Sequence, residues 1–161
     1  MRWVNPPVAW MTHAGIERMR KAGLIFPAHQ KNFNPIQEQK DINRFMMGDC
    51  DFYNRLAFEV YPALTARIVS KKPYKNDNKN RDSSVRIMMR KSIVKHLRYG
   101  KAGLSTKLKS SLELQNRMIV DYKGDYLDAT ICALQAAEVI KMRNFGLPKN
   151  LDRLEGWIAL S

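Results

Sequence analysis

The sequence predicts an α/β domain, a mixed sheet flanked by helices, on three observations. The first is a short run rich in strand formers, Leu56-Ala57-Phe58-Glu59-Val60-Tyr61-Pro62, ended by a proline that cannot continue a ladder. The second is a helix predicted over residues 125–143. Its body, Ala129-Thr130-Ile131-Cys132-Ala133-Leu134-Gln135-Ala136-Ala137, is rich in small and apolar residues, as suits a helix packed closely on a sheet. The third is the tail Glu155-Gly156-Trp157-Ile158-Ala159-Leu160, which reads as a final short strand.

The other elements follow in order. Thr12 can cap a short helix over 13–22, closed by Gly23, with Pro27 barring continuation. A second helical stretch over 36–54 places Ile42, Phe45, Met46 and Phe52 at its apolar positions and is interrupted at Gly48. Beyond the strand, the polar run Asn76-Asp77-Asn78-Lys79-Asn80 reads as a loop. A basic helix comes next, capped by Asp82, Ser83 or Ser84, with Val85, Met88, Met89, Ile93 and Leu97 forming one buried stripe. Gly100 and Gly103 separate it from 104–122, where the pattern does not choose between helix and strand. Gly124 precedes the last helix, and Gly146 and Pro148 end it.

At 161 residues the chain fits a single domain over 1–161. The balance of 28 Lys+Arg against 15 Asp+Glu, a net charge of +13, moves nucleic acid to the front of the candidate partners. No apolar stretch approaches the roughly 20 residues of a membrane span. The start of the chain has no continuous apolar core of the signal-peptide kind, so a cytoplasmic protein is expected. Cys50 and Cys132 form no CxxC pair, which argues against a zinc ribbon or disulfide scaffold. P-loop, dinucleotide-binding and hydrolase-elbow motifs are missing.

The excess charge is concentrated. Residues 67–109 carry 14 Lys+Arg and two acids, Asp77 and Asp82. Lys71, Lys72, Lys75, Arg86, Arg90, Lys91, Lys95 and Arg98 are the candidate phosphate contacts, with Tyr74 and Tyr99 available to stack on bases. The alternative is a solvated face balanced by counterions. Phosphates alone do not distinguish DNA from RNA.

Three acids are the candidate catalytic and metal-binding residues. Asp125 and Asp128 lie three apart at the start of the last helix, where they can act as caps or offer oxygen ligands to Mg2+ or Mn2+. Glu59 interrupts an otherwise apolar or aromatic strand, and a carboxylate there is costly to bury unless paired or metal-bound. If the three converge beside the basic segment, the set suits metal-assisted phosphodiester hydrolysis. His13, His29 and His96 have no metal-ligand spacing, and Cys132 reads as a small core residue.

Four pieces occur in order: Phe58-Glu59-Val60-Tyr61-Pro62-Ala63; Tyr74-Lys75; Gly124-Asp125-Tyr126-Leu127-Asp128-Ala129 running into Cys132-Ala133-Leu134-Gln135-Ala136-Ala137; and Glu155-Gly156-Trp157-Ile158. Together they resemble the predicted-nuclease family catalogued as domain of unknown function 429, over residues 55 to 161. The resemblance implies a ribonuclease H-like fold. It also implies a two-ion site, with Glu59 at the end of a central strand and Asp125 and Asp128 on the last helix. The chain departs from that family at its start: the usual strand meander, with an essential aspartate on its first strand, is not seen before Phe58. The expected fold is therefore a ribonuclease H-like domain lacking its N-terminal strands, with an exposed sheet edge open to self-association. A divalent-metal-dependent nuclease is the leading expectation. A non-catalytic nucleic-acid-binding protein, degenerate or truncated, is the second, and a structural or interaction protein the third.

Overall fold

The computed structural model describes residues 6–50, 54–154 and 156–160. The chain divides into two compact units, one built from residues 1–58 and 148–157, the other from 59–147 and 158–161.

In the first unit, helix α1 (Pro6–Lys21) starts earlier than its sequence pattern suggested, so Thr12 lies inside it rather than at its cap. Gly23, at φ 74°, ends it by adopting the left-handed backbone a side chain would resist. Helix α2 (Pro35–Met46) begins at Asn34, whose side chain accepts from the N–H groups of Ile36 and Gln37, and Pro35 occupies the first turn where a missing N–H costs nothing. It stops before Gly48, so 36–54 is not one helix. The expected contributions of Phe52 and Glu155 fall outside the described residues. Ile25 and Leu56 form an isolated parallel bridge, and the Nδ1 of His29 meets the carbonyl of Arg153 at 3.0 Å.

The second unit is where the expected architecture fails. Strand β1 is two residues, Glu59–Val60, and helix α3 (Pro62–Val69) starts almost at once behind it. Helix α4 (Ser84–Tyr99), α5 (Leu112–Val120) and α6 (Asp125–Lys141) follow, and β2 (Ile158–Ala159) closes the chain. The only sheet among the described residues is the parallel pair of β1 and β2, with Glu59 opposite Ile158 and Val60 opposite Ala159. The ribonuclease H-like mixed sheet is thus replaced by a helical assembly. Pro62 truncates the first strand by opening a helix, a position it tolerates well, and the ambiguous 104–122 segment supplies α5. Among the described residues, strands of two residues offer no long sheet edge of the kind expected.

Two of the small residues of α6 face outward. Ala129 and Ala133 are exposed, while Leu127, Ile131, Leu134, Gln135 and Val139 turn inward. Leu127, Ile131 and Leu134 join Ala66 of α3, Ile93, Val94 and Leu97 of α4, and Met118 of α5 in one core, completed by Tyr74, Ala102 and Leu104. Ser83 caps α4, accepting from the Arg86 N–H, and Gly100 at φ 68° closes it. The buried face of α4 differs from the apolar stripe read from sequence. Val85 and Met88 are exposed, and Arg90 sits among the buried residues instead.

Candidate functional site

Arg90 organises the region where the expected site residues lie. Its side chain has no exposed surface. Such a charge is stable only if its donors are all answered. The guanidinium grips Asp82 through two bonds, Nη1 to Oδ1 at 3.0 Å and Nη2 to Oδ2 at 2.8 Å. Nη1 also donates to the Tyr74 carbonyl at 2.8 Å, and Nε to the Ile119 carbonyl at 2.6 Å. The hydrogen bond from Arg90 is the main cause that holds the Asp82 carboxyl below its ordinary range. Arg90 therefore ties α4 to the segment before it and to α5. It is not a phosphate contact, because nothing outside the core can reach it.

Tyr74, positioned through its carbonyl by Arg90, carries the network to Asp128. Its hydroxyl donates to Oδ1 of Asp128 at 2.6 Å, and the ammonium of Lys75 pairs with Oδ2. Burial first, then the hydrogen bond to Asp128 and its charge, push the Tyr74 phenol far above its ordinary range, so it stays a donor at any working pH. Lys75 also lies 5.8 Å from the centre of the Tyr74 ring, within cation–π range. Gly124 makes this approach possible: a Cβ there would come within 3.0 Å of the Lys75 Cβ, and its φ of 76° is one that side chains avoid. Tyr74 is only 8% exposed and cannot stack on a base, contrary to the sequence expectation.

The acids do not assemble as expected. Glu59 is exposed, so the cost of burying a strand carboxylate does not arise. Asp125 is exposed in the first turn of α6 and is not its cap; Gly124 holds the cap position without a side-chain bond. The capping work falls to Asp121, whose Oδ2 accepts from the Tyr126 N–H at 3.1 Å and whose Oδ1 accepts from Lys123 N–H. Both oxygens of Asp128 are already engaged by Tyr74 and Lys75. Among the described residues no three His, Cys, Asp or Glu side chains gather closely enough to hold a metal ion. As placed, Glu59, Asp125 and Asp128 do not fit a Mg2+ or Mn2+ pair. Cys132, one turn beyond Asp128, is no poised nucleophile, since burial and then the Asp128 charge push its thiol up.

The basic residues separate into two groups. Arg90 is buried, Lys75 is paired with Asp128, and Arg86 is half-buried with Nη1 on the Arg81 carbonyl. Lys71, Lys72, Lys91, Lys95 and Arg98 are exposed. On α4, Lys91, Lys95 and Arg98 fall within about 60° of one another on the helix circumference and span about 10 Å of its axis. None of the three has an ion pair among the described residues. Beside them Met88 and Tyr99 are 60% and 57% exposed. The exposed lysines continue past the helix at Lys101, Lys107 and Lys109.

No protein-family model, curated protein or solved structure matches this chain. Among the described residues no helix is long and apolar enough to cross a membrane.

Proposed function

We propose that this chain binds nucleic acid through the outward side of α4 and does so as a non-catalytic module. The observation that carries this reading is the row Lys91, Lys95 and Arg98: exposed, co-facial and without ion pairs among the described residues. A solvated face that only aids solubility needs no such alignment, and interspersed acids would serve it as well. Here residues 67–109 hold only Asp77 and Asp82 as acids, and Asp82 is consumed by Arg90 inside the fold. A span of about 10 Å covers roughly three axial steps of 3.4 Å along one strand of a duplex, so the three cations can each meet a separate phosphate.

The catalytic form of the expectation would require Asp128 to give up both Tyr74 and Lys75 before it could take a metal. The geometry favours Asp128 as the clamp that joins the Tyr74–Lys75 segment to α6. The test uses the full chain with labelled single-stranded, duplex and hybrid substrates, in Mn2+, in Mg2+ and in chelator. Retention without cleavage is expected, weakened at least tenfold by Lys91→Glu with Lys95→Glu and undiminished in chelator. Metal-dependent cleavage abolished by Asp128→Asn would overturn the non-catalytic reading. Retention unaffected by the charge reversal would overturn the interface.

A further inference from the structure

The C-terminal end of α4 carries a cleft of about 320 Å³ lined by Lys95, His96, Tyr99 and Lys101. Its size sits at the small end of the roughly 300–1,000 Å³ range of ligand sites, room for one nucleotide unit rather than several. The cleft is continuous with the row already described, since Lys95 belongs to both. Gly100 and its neighbours settle the helix end: the Lys101 N–H donates to the His96 carbonyl at 2.9 Å, so carbonyl charge that would repel an anion is partly answered. Lys107 folds back over Gly100, where an added Cβ would meet its Cε at 3.2 Å, and brings a third ammonium to this end.

The chemistry of the lining is specific. Tyr99 offers an exposed ring beside two lysines, a pairing suited to a flat base joined to a phosphate. Nδ1 of His96 lies 2.8 Å from the Ser92 carbonyl and must donate to it, which leaves Nε2 as the ring nitrogen for a ligand. A bare phosphate would use the lysines and leave the tyrosine idle. A duplex keeps its bases stacked on one another and gives Tyr99 no free face.

We infer that this cleft seats one unpaired nucleotide of a single strand, its base against Tyr99 and its phosphate between Lys95 and Lys101. The inference rests on the α4 interface and makes single-stranded nucleic acid its preferred ligand. The test measures fluorescence anisotropy of a labelled ten-residue thymidine strand and of a duplex of equal length, at one salt concentration. Tyr99→Leu should weaken single-strand binding at least about fivefold and leave duplex binding within twofold, while Tyr99→Phe retains wild-type behaviour. A nucleoside monophosphate should displace the strand at concentrations where inorganic phosphate does not. Equal losses on both ligands, no effect of Tyr99→Leu, or displacement by phosphate as effective as by nucleotide would each overturn the inference. Those failures leave the α4 interface standing. A wild-type chain that binds neither strand would overturn both.

Discussion

Replacing Arg90 by methionine keeps an unbranched apolar stem in the core and removes the guanidinium alone. Four hydrogen bonds go with it: two to Asp82 and one each to the carbonyls of Tyr74 and Ile119. Breaking a buried pair by deleting one partner costs about 3–5 kcal/mol, because the remaining charge is left without compensation. The Asp82 side chain is 16% exposed and can turn partly to water, which favours the lower half of that range. The two carbonyls stay in the protein and add to the loss. Against a total stability of about 5–15 kcal/mol, a loss near 4 is a large share. With a urea slope of about 2 kcal/mol/M, the unfolding midpoint should fall by about 2 M. Helical circular dichroism is the assay to use, because α3 to α6 all belong to this unit. None of the three tryptophans, Trp3, Trp10 and Trp157, falls within residues 59–147 or 158–161, so tryptophan fluorescence is the weaker probe of this unit. Asp82→Asn and the double variant complete a cycle, in which a coupling of about 1–3 kcal/mol is expected. A loss under 1 kcal/mol, or full additivity, would refute the assignment of Arg90 as the hub of this fold.

Four further outcomes follow from the same geometry. Burial alone would raise the Glu138 carboxyl, but hydrogen bonds from Thr106 and Ser105 outweigh it and bring it down to about 2 from 4.5. A depressed carboxylate stabilises fully above its unfolded value and loses that contribution as the pH falls. Stability should therefore drop between pH 4.5 and about 2, and Glu138→Gln should flatten this part of an acid-unfolding curve; an unchanged curve would exclude Glu138 as its source. Gly124→Ala should cost about 1–2 kcal/mol in urea unfolding, from positive-φ strain and the crowded Lys75 Cβ; a neutral result would contradict the close approach. Tyr74→Phe, which leaves one oxygen of Asp128 without its O–H donor, should cost about 1–3 kcal/mol by the same assay. The Cys132 thiol, raised by burial and Asp128, should alkylate slowly at neutral pH in the native chain and rapidly in urea; equal rates would place it outside that environment.

Much of the local structure was legible because it is set by neighbours in sequence. Ser83, Gly100 and Gly124 all act within a few residues, and the structure starts or ends α4 and α6 at them. The tertiary assignments were not legible in this way. Arg90 reads as a surface cation because its partners Asp82, Tyr74 and Ile119 come together only in the fold, where it shares the buried side of α4 with Ile93, Val94 and Leu97. Asp128 is held by residues 53 and 54 positions away, a pairing no spacing rule reveals. The sheet was overestimated for a similar reason. A short run of strand formers can pair over seven residues or two, and Pro62 decided by starting α3. Small residues in α6 suggested close packing, yet Ala129 and Ala133 face outward, where alanine serves only its helix propensity. Periodicity did hold one usable signal for Arg90: at 100° per residue it lies between Ile93 and Val94 on the helix circumference.

The interface on α4 makes a quantitative claim about counterions. Each phosphate neutralised on a single strand contributes about 0.7 to the fall of log affinity with log salt concentration. The measurement to make is that slope for the full chain on a labelled single strand, against the variant carrying Lys91→Gln, Lys95→Gln and Arg98→Gln. The slope should become shallower by about 2, three contacts' worth, while Asp128→Asn leaves it unchanged. An identical slope in the triple variant and the wild-type chain would contradict the assignment of α4 as the phosphate-contacting surface.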